Sequence, residues 1–178
     1  MLRSSRLDLV PATLAHFDAL GTSESNLAAQ LGVTAAPDWL DFEAAREALA
    51  QMAQSLPADY EPSTWCTYWF VHRADAALIG LGGYKGAPTD GAVEIGYTLA
   101  PGYRRQGLAT EAARAMVERA FVEPEVDRVL AHTLPEVNAS TAVLSRLGFG
   151  QTETVEDPED GTIWQWVLGR APMERPGT

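Results

Sequence analysis

The spacing of apolar positions changes several times along the chain, and each change marks an element. Arg6 to Val10 alternates apolar and polar residues, as a half-buried strand does, and Pro11 follows it. A helix is expected from about Thr13 to Leu20, stopped by Gly21. A second is expected from Trp39 to Leu56, where Leu40, Ala44, Ala48, Leu49 and Met52 share one face and Pro57 ends the run. Thr64 to Val71 is dense in aromatic and β-branched residues, and Ala74 to Ala77 turns it into Leu78 to Tyr84, which reads as a hairpin. Pro88 to Gly91 forms the next turn. Ala92 to Leu99 is then a strand, Leu108 to Phe121 a helix, Arg128 to Thr133 a strand, and Asn138 to Leu147 a helix stopped by Gly148. Two last strands, Phe149 to Val155 and Thr162 to Leu168, are joined by the acidic turn Glu156 to Gly161. The order of elements predicts an α/β fold of the α+β kind, a mixed sheet of about seven strands flanked by about four helices. One domain is expected over residues 1–169, and 170–178, with two prolines and no periodicity, reads as a flexible tail.

Composition narrows the classes of function. With 178 residues, 46% hydrophobic and 21% charged, the chain suits one globular core, and no apolar run approaches the roughly 20 residues that span a bilayer. The first residues lack the continuous apolar stretch of a secretory signal, so a cytoplasmic protein is expected, with no membrane partner. A net charge of −11 argues against a nucleic-acid surface and favours cationic ligands, so any phosphate must be held by local devices. His16, His72 and His132 lack metal-site spacing, and no metal is expected. The single cysteine, Cys66, reads as a small buried hydrophobe. Trp39, Tyr60, Trp65 and Tyr84 read as core aromatics, with acceptor lining as the alternative.

Chemistry concentrates after the strand that ends at Leu99. There Pro101 to Gly107 leads straight into a helix with an apolar stripe through Ala109, Ala112, Ala113, Met116, Val117, Ala120 and Phe121, while Glu111, Arg114 and Glu118 form its polar side. The start of such a helix offers unpaired N–H groups and a positive dipole end, here beside a glycine and two arginines, which is how a pyrophosphate is cradled; an ordinary exposed turn with two solvated arginines is the alternative. Gly80, Gly82, Gly83 and Gly86 around Lys85 suggest a rival nucleotide loop. Their spacing fits neither the dinucleotide fingerprint nor the P-loop, and a strand follows where a helix is needed, so these glycines serve strand bending or a close approach.

Arg104, Gly107 and Ala109, flanked by Glu94 to Tyr97 and by Thr110 to Ala113, resemble the cofactor segment of the GNAT acetyltransferase superfamily. Asn138 to Ser140 and Leu147 to Phe149 resemble its second segment, and Arg6, Leu7 and Pro11 resemble the Rim-type branch of protein N-terminal acetyltransferases. The resemblance is strongest over 92–149 and weakest over 21–63. It implies acetyl-CoA as co-substrate and an amine as acceptor, attacked directly in a ternary complex. By the same resemblance Arg104 belongs to the cofactor-binding residues, the backbone amides of Arg105, Gln106, Gly107, Leu108, Ala109 and Thr110 hold the pyrophosphate, Thr98 and Leu99 pair with the pantetheine arm, and Asn138 caps the last helix and reaches that arm, with capping alone as the alternative. The strands ending at Leu99 and Thr133 should splay to leave the slot. A bulge near Tyr97 to Leu99 would aim an N–H at the thioester carbonyl. Paired subunits are common in the superfamily, so a homodimer is among the expectations.

Two catalytic roles follow. Glu94 shares a strand face with Gly96 and Thr98, away from Val93 and Ile95, and is expected to take the amine proton through water, with an ion pair at the sheet surface as the alternative. Where many members carry a tyrosine acid this chain has Leu144, which leaves Ser140 or a water to protonate the thiolate. The competing readings are a non-catalytic acyl-CoA sensor or scaffold, and an acyltransferase with another acyl donor or a hydroxyl acceptor.

Overall fold

The structure is a computed structural model that describes residues 1–40, 43–158 and 161–170. In chain order the elements are β1 (Leu2–Arg3), β2 (Leu7–Pro11), α1 (Leu14–Thr22), α2 (Glu24–Gln30), β3 (Thr34–Ala35), α3 (Glu43–Ser55), β4 (Thr67–His72), β5 (Ala77–Tyr84), β6 (Ala92–Leu99), α4 (Leu108–Ala120), β7 (Arg128–Thr133), α5 (Ala139–Leu147), β8 (Gly150–Asp157) and β9 (Gly161–Gly169). The sheet runs β1-β2-β4-β5-β6-β7-β9-β8, with β3 added parallel to β5. Strands β6 and β7 are also parallel, joined by the crossover helix α4. The architecture is the mixed sheet flanked by helices that the sequence predicts, with nine strands among the described residues and five α-helices.

Differences from the expected elements have local causes. Thr13 is the cap of α1, accepting from the His16 N–H while the His16 ring accepts from the Thr13 N–H, and Gly21 lies inside the helix it was expected to stop. Ser23 caps α2, a helix of seven residues with one acidic residue in its first turn, between the two helices expected from the sequence. Trp39 and Leu40, expected to open a helix, are buried ahead of α3; residues 41–42 lie outside the described residues, as do 159–160 of the acidic turn. Of the expected tail, 171–178 lie outside the described residues too. Arg170 itself is anchored: it donates through Nη1 to Phe121 O (2.7 Å), through Nη2 to Glu123 O (2.6 Å) and through Nε to Val126 O (2.9 Å) at the far end of α4.

The two sheet faces are told apart by contacts. Tyr84 donates to Met116 O of α4 (2.7 Å), so Tyr84 and its register partner Ile95 face α4. On the opposite face Trp69 meets Phe17 of α1 and Trp39, with edge-on rings 5.7 and 6.1 Å apart. Alternation then places Glu94, Gly96 and Thr98 on the side away from α4. Trp39 and Tyr84 are core, Trp65 packs on Tyr84, and Cys66 is buried, where burial raises its thiol pKa.

The glycines of β5 are explained by packing. A Cβ on Gly82 would fall 2.5 Å from Phe70 Cζ and 2.7 Å from Gly96 O, whereas one on Gly96 would meet nothing within 4 Å. Gly82→Ala is therefore expected to lower the melting temperature by roughly 5–10 °C and Gly96→Ala to leave it nearly unchanged, as thermal denaturation of the pair will show.

Candidate active site

Strands β6 and β7 pair only from Ala92 to Glu94 against Arg128 to Leu130; β6 then runs on to Leu99 and β7 to Thr133 without pairing. The two strands part, as expected. Because the Lys85 N–H donates to Glu94 O across to β5 (3.0 Å) and the Ala100 N–H donates to Ile79 O (2.7 Å), the main-chain groups of Glu94, Gly96 and Thr98 point to β5. Those of Tyr97 and Leu99 point into the gap, and Leu99 O is taken by Arg104 Nε (2.8 Å). The expected bulge at Tyr97 to Leu99 is absent, since β5 and β6 keep one register from Tyr84–Ile95 to Gly80–Leu99. An irregularity lies instead between Phe70 and Val71, in the pairing of β4 with β5.

The gap opens into a cleft of about 590 Å³ lined by strand β6, the turn before α4, the start of α4, and α5. Of the residues singled out from the sequence, Thr98, Leu99, Arg104, Arg105, Gly107, Ala109, Thr110, Asn138 and Ser140 line it. Three do not. Gln106 turns outward and donates to Gly102 O, the Leu108 side chain is core at 1% exposure, and Glu94 sits where the strands part. Tyr97 and Arg146 also line the cleft and were not singled out as site residues. The spacing of Arg146 from Ala139, Ala142 and Val143 on one face of α5 is the signal that could have found it.

Local geometry makes the turn a donor-rich surface. Arg105 (φ 59°) and Gly107 (φ 80°) are left-handed, and α4 starts on Gly107 with no side-chain cap. The N–H groups of Leu108, Ala109 and Thr110 have no acceptor one turn back within the helix. Thr110 Oγ1 and the Tyr97 hydroxyl are buried without partners, and burial pushes the Tyr97 phenol far above its ordinary pKa. The turn is also braced. Glu111 accepts from Ser4 Oγ (2.7 Å), the Arg6 N–H (2.6 Å) and Arg6 Nε (2.8 Å), and Arg6 Nη1 donates to Gln106 O (3.1 Å). Glu111, on the expected polar side of α4, thus ties the helix to the chain ahead of β2.

On α5, Asn138 caps the helix, its Oδ1 accepting from the N–H groups of Ser140 (2.9 Å) and Thr141 (3.1 Å). Ser140 Oγ, partly exposed in the cleft, makes no hydrogen bond to another described residue. Leu144, at 1% exposure, is core. Glu94 Oε1 is buried between Lys85 Nζ (2.6 Å) and His132 Nδ1 (2.9 Å), a cluster that sequence spacing did not reveal. Among the described residues no group of three His, Cys, Asp or Glu side chains is placed to hold a metal, and no helix is long and apolar enough to cross a membrane.

A family model described as an acetyltransferase (GNAT) domain matches residues 6–150. The chain belongs to this family. The uncharacterized N-acetyltransferase YjdG of Bacillus subtilis is 24% identical over 150 residues, which cover 84% of this chain and 89% of that protein. Two solved acetyltransferases share the GNAT fold. RimL, a ribosomal-protein α-N acetyltransferase in complex with coenzyme A, has a TM-score of 0.67 at 19% identity, over 93% of this chain and 95% of that one. The microcin self-immunity acetyltransferase MccE, in complex with acetyl-CoA and AMP, has a TM-score of 0.65 at 13% identity, over 93% of each chain. This GNAT chain is therefore an acyltransferase, and acetyl transfer is its general chemistry.

Proposed function

We propose that the chain transfers the acetyl group of acetyl-CoA to a primary amine, on a small molecule or a peptide N-terminus, by direct attack in a ternary complex. The observation that carries this reading is the uncapped start of α4, whose N–H groups open on a cleft that also holds two buried hydroxyls without partners. Such donors suit the diphosphate of coenzyme A, with Arg105 adding positive charge. The structures of RimL with coenzyme A and MccE with acetyl-CoA support the same ligand. Main-chain N–H groups of Tyr97 and Leu99, facing the gap, suit the pantetheine arm and the thioester oxygen. A protonated amine must lose a proton before it attacks, and the Glu94 end of the gap supplies the polar groups for that step.

Ser140 is the proposed donor to the departing thiolate. Ser140→Ala is expected to lower kcat about tenfold with unchanged coenzyme A affinity; full activity of the variant would transfer the role to water. The function itself is tested by following acetyl-CoA-dependent thiol release against amino acids, polyamines, aminoglycosides and short peptides. Amine-dependent release is expected. Tight binding of coenzyme A with no release for any amine or alcohol would favour a sensor or scaffold instead.

A further inference from the structure

Both contacts to Glu94 fall on one oxygen, Oε1, which lies 2.6 Å from Lys85 Nζ and 2.9 Å from His132 Nδ1, so the carboxylate is paired with the imidazole ring where the two strands part. The His132 ring has a second nitrogen. With Nδ1 turned to a carboxylate, a neutral imidazole keeps its proton there and presents a lone pair at Nε2. Both contacts to Oε1 are short charge contacts whose angles fall outside hydrogen-bond geometry.

The position of the ring matters as much as its partner. Pairing of Ala92 with Arg128 and of Glu94 with Leu130, carried two residues on, sets His132 level with Gly96 across the opened gap. Gly96 has nothing within 4 Å of the place a Cβ would take, so there is room beside it for an amine. Thr98, next on the same face, lines the cleft. The charged groups that face His132 are Glu94 from β6 and Lys85 from the end of β5; across β9 stands the uncharged Gln165, with Glu153 of β8 beyond it.

We propose that His132 Nε2 accepts the proton from the acceptor ammonium and that Glu94 is a positioning residue for the ring, an inference that rests on the acetyl-transfer reading above. One N–H proton passes to Nε2, freeing the nitrogen lone pair. That lone pair forms the C–N bond at the thioester carbonyl; the C–S bond then breaks, the second N–H proton is lost, and the thiolate gains one proton. The imidazolium returns its proton to solvent, so each turnover releases one proton, one thiol and one amide.

The test is the pH profile of kcat/KM for the wild type, His132→Ala, His132→Asn and Glu94→Gln, with coenzyme A calorimetry and melting curves to confirm that each variant folds. Both His132 variants are expected to lose 100-fold or more in kcat/KM and to lose the acid limb, and added imidazole should restore part of the rate of His132→Ala. Glu94→Gln should keep a displaced limb at a roughly tenfold lower rate. If Glu94→Gln erases the limb while His132→Ala keeps it, the carboxylate is the base and the proposal falls. Nitrogen-15 spectra of the imidazole decide the matter without turnover. A proton on Nδ1, redistributed by Glu94→Gln, is expected, and a proton on Nε2 would overturn the assignment. Thus a wild type inactive with every amine removes the acetyl-transfer reading, whereas the tautomer judges His132 separately.

Discussion

Ala109→Asp is expected to weaken coenzyme A binding by about 100-fold or more, near 2.7 kcal/mol, while leaving the melting temperature unchanged or a few degrees higher. The two effects separate because they arise at one place from opposite causes. Ala109 is the second residue of α4, on a turn with no side-chain cap, and its side chain lines the cleft. A carboxylate there meets the positive end of the helix dipole and stabilises the helix. The same carboxylate competes for the exposed N–H groups and repels a diphosphate. Isothermal calorimetry with coenzyme A and a thermal melt of the same sample give both readings. Undiminished affinity would mean that the diphosphate lies elsewhere.

Glu111→Ala is expected to cost roughly 2–4 kcal/mol at pH 7, a large part of the 5–15 kcal/mol that ordinarily holds a domain folded. Its carboxylate takes three hydrogen bonds at 2.6–2.8 Å and is 14% exposed, so removing it strands the Arg6 N–H and leaves the Ser4 hydroxyl only its bonds with Leu7. Burial alone would raise its pKa. The Ser4 hydroxyl, the Arg6 N–H and the Arg6 guanidinium outweigh burial and hold the carboxyl below its ordinary value. A lowered folded pKa contributes stability that is complete above the unfolded value, about 4.3, and is lost as pH falls through the folded one. The gap between wild type and variant in urea denaturation should therefore be widest near neutrality and should close below about pH 4. A gap that does not narrow in acid would mean the charge contributes nothing. Arg6 also holds Gln106 O, so the variant should bind coenzyme A more weakly as well.

The third of the chain from Ala92 to Leu147 was legible because its strands and helices have a clear period and sharp ends, among them Gly107 before α4 and Gly148 after α5. Both β6 and β7 have the expected bounds, α4 and α5 differ by one residue, and the gap between the two strands lies where the resemblance placed it. Short elements were less legible. Two-residue strands such as β1 and β3 have no period to detect, and α2 is announced only by Ser23 and Glu24. Gly21 misled because a glycine near a helix end can sit on either side of the last turn. What sequence could not show was contact between distant residues. Glu111 meets Ser4 and Arg6 because α4 packs on β1 and β2, and His132 meets Glu94 and Lys85 because β7 lies beside β6.

The three carbonyls that grip Arg170 have a practical corollary for handling the enzyme. They lie at the end of a 13-residue helix whose opposite end borders the cleft, a span of about 20 Å. Biotin or an affinity tag joined beyond Arg170 starts from that remote end, so surface capture through it should leave the ligand entrance free for biosensor measurements.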